Sequence, residues 1–186
     1  MTIQSRFNNV WNGGYDFSNP ANLQEITAVE SYDIAADAAQ YAPSDVIDSP
    51  WGSNRVVSTE NHDGIETCIK EIIVKPGFML SLQRHRGRAE IWEVTDGTLG
   101  VICNGEYSEI PSGQSITLPE GAVHCMINPT GKPVTVKETQ RGICREKDNI
   151  RLVDFNDRAT YPLTSETEYK SALLYRDIMK KLKGRA

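Results

Sequence analysis

Gln83, His85, Glu90 and His124 are the residues of this chain whose types and spacing point to chemistry. Two imidazoles, a carboxylate and an amide oxygen form a mixed nitrogen–oxygen donor set. That set suits Zn, Fe, Mn, Co or Ni and argues against a thiolate-type centre. The 186 residues include three histidines, and two of them belong to the set. The third, His62, stands in the polar run Glu60-Asn61-His62-Asp63-Gly64 and reads as surface.

Two glycine-framed blocks carry these residues, Gly77–Gly97 and Gly113–Asn128. Side chains two apart on a strand share a face, so Gln83 and His85 point the same way, about 7 Å apart. Arg86-Gly87 lets the chain bend. Glu90 then falls on a strand over Ala89–Thr95, which the turn signal Asp96-Gly97 ends as a hairpin. Pro119-Glu120-Gly121 is a second turn, after which His124 enters a strand over Val123–Asn128. The arrangement converges all four donors on one divalent metal.

The elements that must position them are short strands broken by turns, the pattern of an all-β sandwich or barrel. Besides those two, strands are expected over Thr67–Val74, Met79–Gln83, Thr98–Cys103, Glu106–Ile110, Ser115–Leu118 and Val134–Thr139. Asn104-Gly105 suits a tight two-residue hairpin. Eight such strands fit a double-stranded jelly roll. Residues 1–50 are rich in turn formers and read as an N-terminal extension packing on the barrel or on a partner subunit, with one or two helices in Leu23–Ala39. The barrel is assigned to 51–160 and a C-terminal helix to 161–186. That helix spans Ser165–Lys183, opened by the capping box Ser165-x-x-Glu168 and closed by lysines that complement its dipole.

A net charge of −5 and a pI near 5.3 disfavour general nucleic-acid binding. No stretch approaches the roughly 20 apolar residues that span a bilayer. The N-terminus lacks an apolar signal core, so a cytoplasmic protein without membrane contact is expected. Cys68, Cys103, Cys125 and Cys144 form no CxxC pair and read as free thiols. Alternation turns Cys125 away from the donor set.

The two blocks resemble the paired motifs of the cupin superfamily, with Gln83 where most cupins carry the first histidine. Ser49-Pro50-Trp51-Gly52, Val74-Lys75-Pro76-Gly77, Leu80-Ser81-Leu82-Gln83-Arg84-His85 and Arg88-Ala89-Glu90-Ile91-Trp92 narrow the likeness. Together they resemble the phosphomannose isomerase domain of the type II bifunctional enzymes, which reads close to LSLQMHHHRAEHW. Leu118 to His124, Asn128-Pro129, Glu138 to Gly142, Asp148 to Arg151 and Asp154 to Arg158 extend the resemblance, which covers about Pro50 to Arg158. It implies a jelly-roll cupin fold, a divalent metal with Zn first, interconversion of mannose 6-phosphate and fructose 6-phosphate, and a homodimer. Arg86, Gly87 and Ile91 depart from it, replacing three family histidines. The 50 leading residues are too short for the nucleotidyltransferase half, so a stand-alone isomerase-like cupin is expected. A non-catalytic sugar-binding cupin, or another metal cupin enzyme such as an epimerase or dioxygenase, are the alternatives.

Aldose–ketose isomerisation through an enediol needs a Lewis acid, a base with a pKa near neutrality and a clamp for the phosphate. Glu138 is the candidate base, since alternation along Val134-Thr135-Val136-Lys137-Glu138 aims it inward. Lys137 points to the opposite face and is the competing candidate. Arg88 is the first choice for the clamp, because arginine offers fixed, forked donors. Arg84 and Arg86 cluster with it, and Arg151 and Arg158 follow.

Overall fold

Alternating burial along β10 (Val134–Gly142) shows how the barrel is built. Val134, Val136, Glu138 and Gln140 are buried, while Lys137 between them and Arg141 after them are exposed. The same period runs through β3 (Ile65–Val74), which buries Glu66, Cys68, Lys70, Ile72 and Val74. Opposite faces of each strand thus meet core and solvent.

The computed structural model describes residues 41–63, 65–156, 158 and 160–184. The helices expected in Leu23–Ala39 lie outside these residues. The described strands form two antiparallel sheets. The six-stranded sheet has the order β1 (Val46–Ser49), β2 (Gly52–His62), β3, β10, β5 (Arg88–Asp96), β8 (Ser115–Leu118). The five-stranded sheet has the order β11 (Ile150–Val153), β4 (Leu82–Arg84), β9 (His124–Ile127), β6 (Thr98–Cys103), β7 (Glu106–Pro111). The architecture is the expected all-β jelly roll, closed by a helix.

Several local expectations change. Asp96-Gly97 is not a hairpin: β5 and β6 lie in different sheets, so this turn carries the chain across the barrel. Asn104-Gly105 is the true two-residue hairpin; both residues have positive φ, 49° and 81°, and Cys103 pairs with Glu106. The strand expected over Met79–Gln83 begins only at Leu82, with Met79 making a single bridge to Ile127. Strands β1, β2 and β11 were not expected. In β2 the polar run Ser58-Thr59-Glu60-Asn61 masks the alternation, while β11 is only four residues long and buries Ile150, Leu152 and Val153. β1 lies within the first 50 residues and pairs with β2.

Trp51, Trp92, Val94, Leu99, Val101, Met126 and Val136 fill the barrel interior. Each large apolar side chain buried this way contributes about 1.5–3 kcal/mol. A second core lies outside the five-stranded sheet, where helix α1 (Glu166–Lys183) sets Tyr169, Ala172, Tyr175 and Leu182 against Leu82, Ile102, Cys125 and Ile127. β9 is therefore buried on both faces, with His124 and Met126 inward and Cys125 and Ile127 toward the helix. Ser165 is the N-cap rather than a helical residue, and its capping box with Glu168 forms as expected. No helix among the described residues is long and apolar enough to cross a membrane.

Candidate metal centre

Both sheets contribute to the site. β4 carries Gln83 and ends one residue before His85, and β9 carries His124 directly opposite Gln83. β5 supplies Glu90 from the other sheet, where it pairs with Gln140 of β10. The bend between β4 and β5 is held from outside: Asp148 accepts the backbone N–H of Arg86 at 3.0 Å and of Gly87 at 3.2 Å. Gly142 lets β10 close against this bend. Its φ is +130°, and a Cβ there would stand 2.1 Å from the Gly87 carbonyl oxygen.

His85, Glu90 and His124 offer ligand atoms that all lie within 4.8 Å of one another. All three residues are buried. Glu90 Oε1 is 3.1 Å from His85 Nε2, and Glu90 Oε2 is 3.6 Å from His124 Nε2. Hydrogen bonds at the far ring nitrogens decide the tautomers. His124 Nδ1 lies 2.8 Å from the Ala122 carbonyl and so carries the proton. Its Nε2 is then a bare lone pair, buried without a hydrogen-bond partner among the described residues, facing a carboxylate that also only accepts. His85 Nδ1 lies 3.2 Å from the Asp148 carbonyl, which likewise turns an unprotonated Nε2 inward. Two neutral imidazoles and a carboxylate aimed at one point fit a divalent cation.

The electrostatics suit that occupant. Burial, reinforced by Arg88, pushes His85 down to about 4, and burial also lowers His124. Burial works to raise Glu90, but His85, Arg88 and His124 outweigh it and hold the carboxyl well below its usual range. All three are thus in their ligating forms at neutral pH. Trp92 Nε1 donates to Glu90 Oε2 at 3.1 Å, and Gln140 Nε2 donates to Glu90 Oε1 at 3.2 Å.

The remaining expected residues divide. Gln83 lines the adjoining cavity, but its Oε1 accepts from Ser81 Oγ at 2.9 Å instead of joining the cluster. Glu138 is buried and faces inward, hydrogen-bonded by Gln140 Nε2 at 2.8 Å. Burial, with the charge of Glu90 nearby, raises it to about 7. Arg88 lines the cavity, yet its guanidinium serves the cluster: Nε donates to Glu90 at 3.0 Å, Nη1 to the Arg145 carbonyl at 2.9 Å, and Nη2 lies 3.2 Å from His85 Nε2. Arg151 and Arg158 line the same cavity. Arg86 and Lys137 do not. Lys137 lies on the outer, odd phase of β10 and pairs with Glu93 at 3.3 Å, so the strand period excludes it from the interior.

The cavity has a volume of about 310 Å³, and Gln83 and Arg88 are among its lining residues. Several of its polar residues have no role in the sequence reading, Tyr41, Asn54, Lys70, Gln140, Glu146 and Asn149 among them. Gln140 and Lys70 are polar groups on the buried phase of apolar alternation, a signal visible along Cys68-Ile69-Lys70-Glu71-Ile72. Asn149, beside Asp148, carries no such signal.

A two-sheet jelly roll with a His–Glu–His set turned into its interior defines the chain as a cupin. It belongs to the family described as the mannose-6-phosphate isomerase C-terminal domain, whose model matches residues 37–156. Among curated relatives, the mannose-1-phosphate guanylyltransferase ManC of Salmonella typhimurium is 39% identical over 109 residues, covering 59% of this chain and 22% of that protein. The alginate biosynthesis protein AlgA of Pseudomonas aeruginosa is 39% identical over 114 residues, covering 61% and 23%. The chain thus spans less than a quarter of the length of either relative. Among solved structures, an RmlC-like cupin from Shewanella frigidimarina is 18% identical with a TM-score of 0.48, covering 60% of this chain and 96% of that one.

Proposed function

We propose that this cupin is a metal-dependent sugar-phosphate isomerase that interconverts mannose 6-phosphate and fructose 6-phosphate through an enediol. The observation that carries the reading is Glu138, a buried carboxyl raised to about 7 and joined to the ligand Glu90 through the shared amide of Gln140. A base that exchanges a proton near neutrality is what the reaction requires. Membership of the mannose-6-phosphate isomerase family supports the same substrate class.

His85, Glu90 and His124 would hold the metal, Zn first, with Gln83 as a fourth donor after turning from Ser81. Bound there, the metal would supply a Lewis acid that stabilises the developing enediolate. Glu138 takes the C2 proton of the aldose as the C1–C2 double bond forms and the C1 carbonyl electron pair moves onto O1. The O2 hydroxyl proton passes to O1, the carbonyl forms at C2, and Glu138 returns its proton to C1. Gln140 orients Glu138 throughout. Its amide nitrogen is committed to two carboxylates, so its oxygen faces away, buried and without a partner among the described residues. The Asn54 and Asn149 side-chain oxygens on the cavity lining are likewise buried without a partner among the described residues. Such acceptors suit the hydroxyl protons of a sugar.

The departures from the family sequence weigh little against turnover. Ile91 is 46% exposed on the outer face of β5, so no side chain at that position enters the cavity. At Gly87 a Cβ would stand 2.9 Å from the Ile143 side chain, so Ile143 occupies the space that a larger residue would need.

The test is a coupled assay for fructose 6-phosphate formed from mannose 6-phosphate, on protein of measured metal content. Turnover that is lost on chelation and restored by Zn or Co is expected. Full metal occupancy without turnover would overturn the isomerase in favour of a sugar-binding cupin.

A further inference from the structure

Four cationic side chains line the cavity, and three of them have carboxylate partners. Arg88 donates to Glu90 at 3.0 Å. Arg158 grips Asp154 with two donors, at 2.8 and 3.0 Å. Arg151 lies 3.8 Å from Glu146. The fourth is Lys70, 5% exposed on the inward phase of β3. Its Nζ stands 3.5 Å above the Tyr41 ring, and among the described residues no carboxylate oxygen comes within 4.0 Å of it. The ring face offers a cation partial compensation only, and a buried ammonium gains most from a charged hydrogen-bond acceptor. Tyr41 is itself tied, donating from its hydroxyl to Glu146 at 2.7 Å.

We infer that Lys70 is the residue that anchors the anionic group of the substrate. The inference rests on the sugar-phosphate reading for the nature of that group, and it replaces the arginines as the charge that selects it. Position supports it. Lys70 sits opposite Glu138 on β10, and Glu138 sits opposite Trp92 on β5. Glu90 belongs to the next inward-facing row, opposite Gln140. The two rows are about 7 Å apart along the strand, and β3 and β5, flanking β10, are about 10 Å apart across the sheet. A ligand whose anion meets Lys70 therefore presents different atoms to the His85–Glu90–His124 cluster, with Glu138 between the two ends. A ligand that placed its anion on the cluster would leave Lys70 with only the Tyr41 ring face and the field of Glu138 opposite it. Lys70 thus favours substrates that carry charge at a distance from the reacting carbons.

The test is calorimetric binding of mannose 6-phosphate, inorganic phosphate and mannose to the full chain loaded with Zn. Lys70→Met keeps the apolar stem, and Lys70→Arg keeps the charge; metal content and near-ultraviolet circular dichroism check both folds. Lys70→Met is expected to weaken mannose 6-phosphate and phosphate about 10- to 100-fold, the usual worth of a hydrogen bond to a charged group. Mannose affinity and metal content are expected to stay unchanged, and Lys70→Arg to recover most of the loss. Unaltered phosphate affinity in Lys70→Met would overturn the inference, as would equal losses for mannose and mannose 6-phosphate. Wild-type protein that binds neither anion would overturn it too. Lys70-dependent binding without isomerisation would uphold the anchor and remove only the isomerase.

Discussion

Glu90 Oε2 and His124 Nε2 face each other at 3.6 Å inside the barrel, and neither carries a proton to share. Trp92 stands over the pair, its indole edge-on to the His124 ring with centroids 5.3 Å apart. Metal uptake is therefore visible from inside the molecule. Co addition should quench Trp92 emission in proportion to metal bound, and His124→Ala should lose both the quenching and stoichiometric metal. Trp92→Phe removes one hydrogen bond from Glu90 and should weaken affinity about 10- to 100-fold, as loss of a ligand-orienting partner does. Full metal content in His124→Ala would refute the site.

The pH dependence of metal affinity follows from His85. Its ordinary pKa of 6.5 is pushed down to about 4, so it is already neutral at pH 5. Protons compete for a ligand only below its pKa. The His85 contribution should thus hold from pH 8 to about 5 and be lost through pH 4, and His124, also lowered by burial, shifts the weakening in the same direction, whereas an ordinary histidine site weakens below its own pKa near 6.5. Zn titrations across that range, with circular dichroism to confirm the fold, decide it. Weakening that begins above pH 6 would contradict the lowering of the two histidines by burial.

Glu138 should set the acidic limb of any activity profile. A base acts only when ionised, and this carboxyl is raised to about 7. The rate should rise with pH and level off above about 7. Glu138→Gln should cut kcat by about 10²- to 10⁴-fold, remove that limb and leave metal content unchanged. A kcat within a factor of a few of wild type would assign the proton to another group.

Much of this site is legible before folding because strands translate spacing into direction. His85, Glu90, His124 and Glu138 all face inward as a period of two requires. The same rule, applied to Lys137, already excludes it, and applied to Lys70 would have found it. Gln83 and Arg88 illustrate what spacing omits. Both face the cavity, but their hydrogen-bonding atoms are taken by Ser81 and by Glu90, Arg145 and His85, partners that only packing reveals. Asp96-Gly97 misleads for a related reason: a turn signal marks a reversal but not which sheet receives the next strand.

The helix supports the site through one buried ion pair. Arg84, between Gln83 and His85, donates from Nε to Glu168 Oε1 at 2.7 Å, with the two side chains 12% and 2% exposed. The other oxygen of Glu168 accepts the backbone N–H groups of Thr164 and Ser165 at the helix start. One carboxylate thus caps α1 and fastens it to β4. Glu168→Ala takes this carboxylate from a largely buried guanidinium and uncaps the helix, and should cost about 3–5 kcal/mol in urea unfolding. Replacing both members, Arg84→Met with Glu168→Met, removes the guanidinium as well and should restore part of that loss, because buried pairs are often matched by apolar packing. The double variant should remain below wild type by about 1 kcal/mol, the worth of the lost cap. If α1 holds β4 in place, metal affinity should fall in Glu168→Ala and recover in the double variant along with stability. Affinity unchanged in both would mean that His85 is positioned without the helix, by Asp148 alone.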